Sequence, residues 1–292
     1  FIKVLLGVEN DEIEDSVIEL KAKGEIVIEE REDNNWIYLD SYYKAEESVA
    51  NKLITLDKAR NMKHINDFED ELEKIEQKTD LILSDKQKEA IEAVNDNNVC
   101  IITGGPGTGK TTIIKVILEL YKSKKRKTVL CAPTGRAAKR MTETTGEEAK
   151  TLHRLLEIGK IEEERTSKYN DFDVAPLDAD VIIVDEMSMV DLFLMNYLVK
   201  AIYQGSKLVL VGDVDQLPSV GPGNVLADLI NSKRIKTIVL NKIFRQAAKS
   251  KIIINSHRVN SGETFIKPQE STEELNQDFF YIKENNQDKI LN

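Results

Sequence analysis

Cysteine is nearly absent from this 292-residue chain, which has only Cys100 and Cys131. Neither has metal-ligand spacing, and each falls inside a short apolar run that predicts a strand. They read as small buried hydrophobes in a reducing compartment, so a cytoplasmic protein is expected. Long apolar runs are missing too. VIIV and KLVLV are the longest, far short of the ~20 residues that a membrane span needs, which argues against a membrane partner. No basic-then-apolar leader opens the sequence, so no secretion signal is expected. Internal repeats and low-complexity tracts are also lacking, and proline is limited to 6 residues. What remains is a globular composition, 41% hydrophobic and 32% charged. At ~150 residues per domain, about two domains are expected.

A basic excess is lacking as well, since the net charge is -10. That would argue against a nucleic-acid partner if the charge were evenly spread. It is not. Residues 1–80 hold 11 Lys+Arg against 22 Asp+Glu; from totals of 41 and 51, the rest of the chain keeps 30 basic and 29 acidic. The acidity belongs to the front, and a balanced body can still present a local basic path.

Along the front, Ile13, Val17 and Leu20 recur at helical spacing, and Gly24 stops the helix. EIVIEE and WIYLD alternate around EDNN, which predicts a hairpin. A helix followed by a hairpin fits a winged-helix module, among other small α+β units. SYYKAEESVANKLITL, and then Ile65, Phe68, Leu72 and Ile75, continue as amphipathic helices, and the run DFEDELEKIEQK reads as a solvated helix face. From Leu83 onward, strand and helix alternate. VCIITG, TVLCAPT, VIIVDE, KLVLVGD and TIVL predict short buried strands with helical sequence between them. The expected fold is α/β, a parallel sheet with helices on both faces.

The stretch GGPGTGKTT, Gly104 to Thr112, fits the phosphate-binding loop G-x-x-x-x-G-K-[ST] and stands between a strand and a helix. Its candidate ligand contacts are Gly104, Gly105, Pro106, Gly107, Thr108, Gly109, Lys110, Thr111 and Thr112. Glycines let backbone N–H groups approach phosphates, and the helix N-terminus faces the same charge. Lys110 suits the β- and γ-phosphates, and the Thr111 hydroxyl suits Mg²⁺. In VIIVDEMS, Asp185 can complete the metal shell and Glu186 can orient or deprotonate a water. Both loops lie at strand carboxyl ends, where an open parallel sheet binds ligands. The expected reaction is ATP hydrolysis by in-line attack of water. Gln87 has two readings: partner of Ser84 in a capping box, or an amide for an adenine edge.

Three further segments follow strands: APTGRAAKRM (132–141), GDVDQLPSVGPGNVL (212–226) and LNKIFRQAAKS (240–250). In this order, with TLHRLL at 151–156, FRQ at 244–246 and YKAEESVANKL ahead of the core, they resemble RecD-like superfamily I DNA helicases. The resemblance is most specific over residues 103–247. It implies a RecA-like P-loop NTPase motor that uses ATP and Mg²⁺, moves 5′ to 3′ on single-stranded DNA and opens duplex junctions. It implies repair or recombination proteins as partners. It gives Gln87 adenine recognition, Gln216 sensing of the γ-phosphate and Arg245 the part of an arginine finger, worth ~10³–10⁵ in rate. It places Pro133, Thr134, Arg136, His153 and Asn224 along the DNA strand, although His153 could equally be a helix-start residue beside Thr151.

The resemblance also implies an organisation. Residues 1–80 are the front module with linker helices, 81–265 the motor domain and 266–292 the start of a second motor domain. Residues 159–180, with Tyr169 and Phe172 their only aromatics, form a short pin-like insertion in that reading. A chain that begins at Phe1 and ends at KENNQDKILN is expected to be cut from a longer protein, binding nucleotide but hydrolysing it poorly alone.

Overall fold

The computed structural model describes residue 7 and residues 10–31, 34–158, 174–244, 250–266 and 278–279. VCIITG, VIIV and KLVLVG carry almost no polar side chains, which suits strands covered on both faces. They form β3 (Val99–Gly104), β6 (Val181–Val184) and β7 (Lys207–Gly212), buried at every position. With β4 (Thr128–Ala132), β5 (Ala149–Thr151) and β8 (Lys236–Leu240) they make a six-stranded sheet in the order β5-β4-β6-β7-β3-β8. All five pairings are parallel.

Successive side chains of a strand point to opposite faces, and the two faces have separate cores. Val99, Ile101, Ile182, Val184, Leu208 and Leu210 belong to one. Cys100, Ile102, Val181, Ile183, Val209 and Val211 belong to the other. The first is covered by α2 (Asp40–Lys58), which buries Ala45, Val49, Leu53 and Leu56 at spacings of three and four, and by α8 (Leu192–Ala201). Tyr42 of α2 meets Phe193 of α8 edge to face, with centroids 5.1 Å apart. The second core is closed by α3 (Phe68–Thr79), α4 (Asp85–Asp96) and α5 (Lys110–Ser123). The charge run of α3 faces outward, while its Leu72 and Ile75 are buried.

Ahead of the sheet, α1 (Asn10–Ala22) leads through Gly24 into a hairpin of β1 (Ile26–Glu30) and β2 (Asn35–Leu39), in register from Ile26↔Leu39 to Glu30↔Asn35. After β4 come α6 (Gly135–Thr145), β5 and the single turn α7 (Leu152–Leu155). After β7 come α9 (Val225–Asn231), β8 and α10 (Lys251–Asn260). The sequence gives no hint of β5, a three-residue edge strand too short and too polar for an alternation signal. Arg245 and most of the expected pin, residues 159–173, lie outside the described residues, as do Tyr169 and Phe172. Of the expected first strand of a second domain, only Asp278 and Phe279 are described. Among the described residues, no helix is long and apolar enough to cross a membrane.

Candidate nucleotide site

Parallel strands put all their carboxyl ends on one edge of the sheet. At that edge β3 runs into the phosphate loop, β7 into Asp213 and β6 into Asp185 and Glu186. The loop fits only with its glycines. Gly107 and Gly109 have φ of 76° and 86°, the left-handed region that side chains resist. A Cβ on Gly104 would come within 2.6 Å of the Leu240 carbonyl. Thr108 Oγ1 donates to the Gly105 carbonyl at 2.8 Å, and Lys110 Nζ donates to the carbonyls of Gly104 and Gly105. Thr111 and Thr112 stand half-buried in the first turn of α5.

Gln87 is buried in the first turn of α4 and serves two neighbours. Its Oε1 accepts from the Ser84 N–H at 3.0 Å, the capping box expected from the spacing. Its Nε2 lies against the phosphate loop, where a Cβ on Gly109 would be only 2.3 Å away. Phe244 reaches the same glycine, and its backbone N–H donates to the Gly107 carbonyl at 3.2 Å. Beside them a cavity of about 500 Å³ is lined by Ile82, Ser84, Asn241 and Phe244, among others.

The charged groups converge on Lys110. Burial pushes its ammonium pKa down, and the carboxylates of Asp213, Asp185 and Glu186 oppose that shift. Asp185 and Glu186 are both pushed above the usual carboxylate range. For Asp185 the cause is burial, countered by the Glu186 N–H that donates to its Oδ1 at 2.9 Å. For Glu186 burial comes first and the Asp185 charge second. Glu186 is also left-handed, with φ 56° and ψ 43°, a strained conformation for a residue with a side chain. That conformation turns the backbone out of β6 into the turn Met187–Met189. Thr111, Asp185, Glu186 and Arg140 line one small cavity, so a hydroxyl and two carboxylates share a space at the end of β6. Among the described residues no three His, Cys, Asp or Glu side chains are grouped to hold a metal by themselves.

Gln216 donates through Nε2 to Asp213 Oδ2 at 3.3 Å, and the Asp215 N–H donates to Asp213 Oδ1 at 3.1 Å. Val214 donates to Thr103 Oγ1 at 3.3 Å, which ties the ends of β7 and β3 together. Gly104, Gly105, Pro106, Asp213, Gln216 and α10 line a cleft of about 870 Å³.

The residues expected along DNA divide in two. Pro133, Thr134 and Arg136 follow β4, and His153 follows β5, so these four stand at the β5-β4 side of the sheet. Thr134 Oγ1 caps α6 by accepting from Ala137, and Thr151 caps α7 by accepting from Arg154. The helix-start geometry around His153 is therefore present, and the imidazole is exposed. Asn224 is exposed at the start of α9, beyond β7 and apart from the other four. Two nearby residues were not anticipated: Phe244 against Gly109 and His257 of α10 against Gly105. FRQ singles out Phe244 but not this contact, and His257 carries no local signal; each meets the loop more than 130 residues away in the chain. Arg140 reads in sequence only as part of a basic helix face.

A family model described as an AAA domain matches residues 87–222, from Gln87 to the loop after β7. The ATP-dependent RecD2 DNA helicase of Deinococcus radiodurans is 41% identical over 181 residues, covering 62% of this chain and 24% of that protein. The RecBCD enzyme subunit RecD of Mycobacterium tuberculosis is 35% identical over 227 residues, covering 70% of this chain and 37% of its own. A Pif1 helicase from Candida albicans, among solved structures, is 25% identical with a TM-score of 0.46, covering 63% of this chain and 45% of that one. The chain thus spans about a quarter of the first of these curated relatives and just over a third of the second. Over the matched stretch it is similar to the RecD helicases, and its phosphate loop and Asp-Glu pair fall inside the matched AAA domain.

Proposed function

We propose that this chain supplies the nucleotide-driven part of an ATP-dependent DNA helicase that moves 5′ to 3′ on single-stranded DNA and opens duplex junctions in repair or recombination. The observation that supports this best is that the phosphate loop, Asp213 and the Asp185-Glu186 pair stand at neighbouring strand ends, with Thr111, Asp185 and Glu186 lining one cavity. A triphosphate in the loop would take Lys110 on its β- and γ-oxygens. Thr111 and Asp185 suit Mg²⁺, which prefers one or two carboxylates completed by phosphate oxygens and water. When bound, that ion supplies positive charge against the charge developing on the phosphates. Glu186, its proton affinity raised by burial, is proposed to orient the attacking water and accept its proton. The products are ADP, inorganic phosphate and a proton.

Gln87 and Phe244 are proposed to hold adenine in the cavity between Ile82 and Asn241. Gln216 is proposed to sense the γ-phosphate, and Arg245 to stabilise the transferred group. Pro133, Thr134, Arg136, His153 and Asn224 are proposed to line the DNA. Residues 81–265 form the motor domain in this reading, with α2 and α3 of the preceding module buttressing its two faces. Residues 159–180 act as a pin, and 266–292 begin a second motor domain. The buried, unpaired thiols of Cys100 and Cys131 support a cytoplasmic setting.

The test is ATP hydrolysis with and without single-stranded DNA, for the unsubstituted chain and for Lys110→Ala, together with DNA binding by each. Binding of both ATP and single-stranded DNA supports the motor, together with turnover that is weak in this chain alone, rises with DNA and is lost with ATP binding in Lys110→Ala. ATP binding that is indifferent to DNA, in a chain without DNA affinity, leaves a nucleotide-binding module and sinks the helicase reading.

A further inference from the structure

The second residue of the phosphate loop is a glycine without an obvious need to be one. Gly105 occupies a free position of G-x-x-x-x-G-K, and its φ does not lie in the left-handed region. What a side chain would meet there is His257. A Cβ on Gly105 would lie 2.5 Å from Cε1, 3.2 Å from Nε2 and 3.3 Å from Nδ1 of that imidazole. The ring therefore rests on the bare backbone of the loop.

Its Nε2 is 3.2 Å from the Pro106 carbonyl. A carbonyl only accepts, so the nitrogen facing it carries the hydrogen and donates. His257 stands two turns into α10, a helix capped by Ser250, whose Oγ accepts from the Ile253 N–H at 3.2 Å. The helix is fixed further by Asn255, buried, whose amide makes both hydrogen bonds to the backbone of Ile266. The imidazole is thus presented by an anchored element.

On its other side the same arm of the loop is held by Lys110, through the Gly104 and Gly105 carbonyls. An ammonium has three donors, so serving the β- and γ-oxygens of a triphosphate takes at least one of them from these two carbonyls. Thr108, through the Gly105 carbonyl, and His257, through Pro106, are then the side chains that keep the arm in place.

We propose that His257 is a positioning residue for nucleotide binding, clamping the Gly105–Pro106 arm from outside, and that Gly105 is glycine to admit the ring. This rests on the reading of the loop as an ATP site. The experiment is equilibrium titration of the chain with fluorescent N-methylanthraniloyl-ATP, with a melting curve for each variant in the absence of nucleotide. His257→Ala is expected to weaken binding about 3- to 10-fold, the size of one lost hydrogen bond, with an unchanged melting temperature. His257→Gln, which keeps a donor, is expected to recover most of the loss. Gly105→Ala, which pushes the ring away, is expected to weaken binding at least as much. In the His257→Ala background it should add nothing, because the clash has gone.

Equal affinity of His257→Ala and the unsubstituted chain overturns the inference. So does a Gly105→Ala effect that is the same in both backgrounds. In either case the ATP reading survives, because the unsubstituted chain binds. Failure of the unsubstituted chain to bind the nucleotide overturns both.

Discussion

Gly109 and Gly146 share a left-handed backbone, with φ of 86° and 77°, yet the structure asks different things of them. Gly146 ends α6 with open space where a Cβ would go. Gly146→Ala should cost only the left-handed conformation, about 1–2 kcal/mol in a urea melt, and leave nucleotide affinity alone. At Gly109 a Cβ would also strike Gln87 Nε2 at 2.3 Å and crowd the Phe244 ring. Gly109→Ala should therefore cost more than Gly146→Ala in the same melt and also abolish detectable binding of a fluorescent ATP. Equal effects of the two variants would show that the Gln87 contact is unimportant. The phosphate loop was legible residue by residue, because its spacing encodes its conformation. Gln87 was legible only as two readings; the structure shows the cap, through Oε1, and sets Nε2 against Gly109 of the loop, which leaves adenine recognition a proposal. Phe244 was legible only as a member of FRQ, without its contact to Gly109, and His257 was not legible, since nothing near it in sequence marks a contact with the loop.

At the scale of elements, the strands were readable because parallel strands buried on both faces leave continuous apolar runs. Polar residues inside such runs are the informative exceptions. Lys207 opens β7 at the amino edge of the sheet and is fully buried. Its Nζ donates to the carbonyls of Asn95 and Asn97, both at 2.9 Å, so that it caps the end of α4 from across the sheet. Asn61 donates to the same Asn95 carbonyl, and Asn98 reaches back to Leu56 and Ala59 at the end of α2. Sequence reading cannot see this knot, because its members join three separate stretches, 56–61, 95–98 and Lys207. Burial pushes the Lys207 ammonium from 10.5 down to about 8, with Asp96 opposing. The unfolded chain keeps that proton up to its ordinary value while the folded chain releases it near 8. Between the two the unfolded state binds more protons, so folding stability rises with pH across that window and gains nothing from Lys207 below it. Urea midpoints taken from pH 7.5 to 10 should rise more steeply for the unsubstituted chain than for Lys207→Met. Parallel profiles would mean that the two carbonyls hold the ammonium charged despite its burial.

For the whole molecule, strand order separates two kinds of chemistry along one edge. The order β5-β4-β6-β7-β3-β8 gathers the loop of β3, Asp213 of β7 and Asp185 of β6 at neighbouring ends, while Pro133, Thr134, Arg136 and His153 follow β4 and β5 at one side. Among the described residues, none of the acidic front lines the cavities at this edge, which is why a net charge of -10 carried so little information about a nucleic-acid partner. If the division holds, binding of nucleotide and binding of DNA can be damaged separately. Arg136 is the cleaner probe on the DNA side, because its side chain is exposed whereas the Thr134 hydroxyl also caps α6. Arg136→Ala should weaken single-stranded DNA binding for all sequences alike and lower the slope of log affinity against log salt by about one. It should leave fluorescent ATP affinity within about two-fold, since Arg136 itself does not line the cavity of Thr111, Asp185 and Glu186, although Arg140 of the same helix does. Lys110→Ala should do the reverse, removing ATP affinity while DNA binding without nucleotide persists. Titrations of both variants against both ligands over a range of salt decide the matter. Loss of ATP affinity in Arg136→Ala, or an unchanged salt slope, would place the DNA track elsewhere on the molecule, with the exposed loop around Leu217 and Val220 the next surface to substitute.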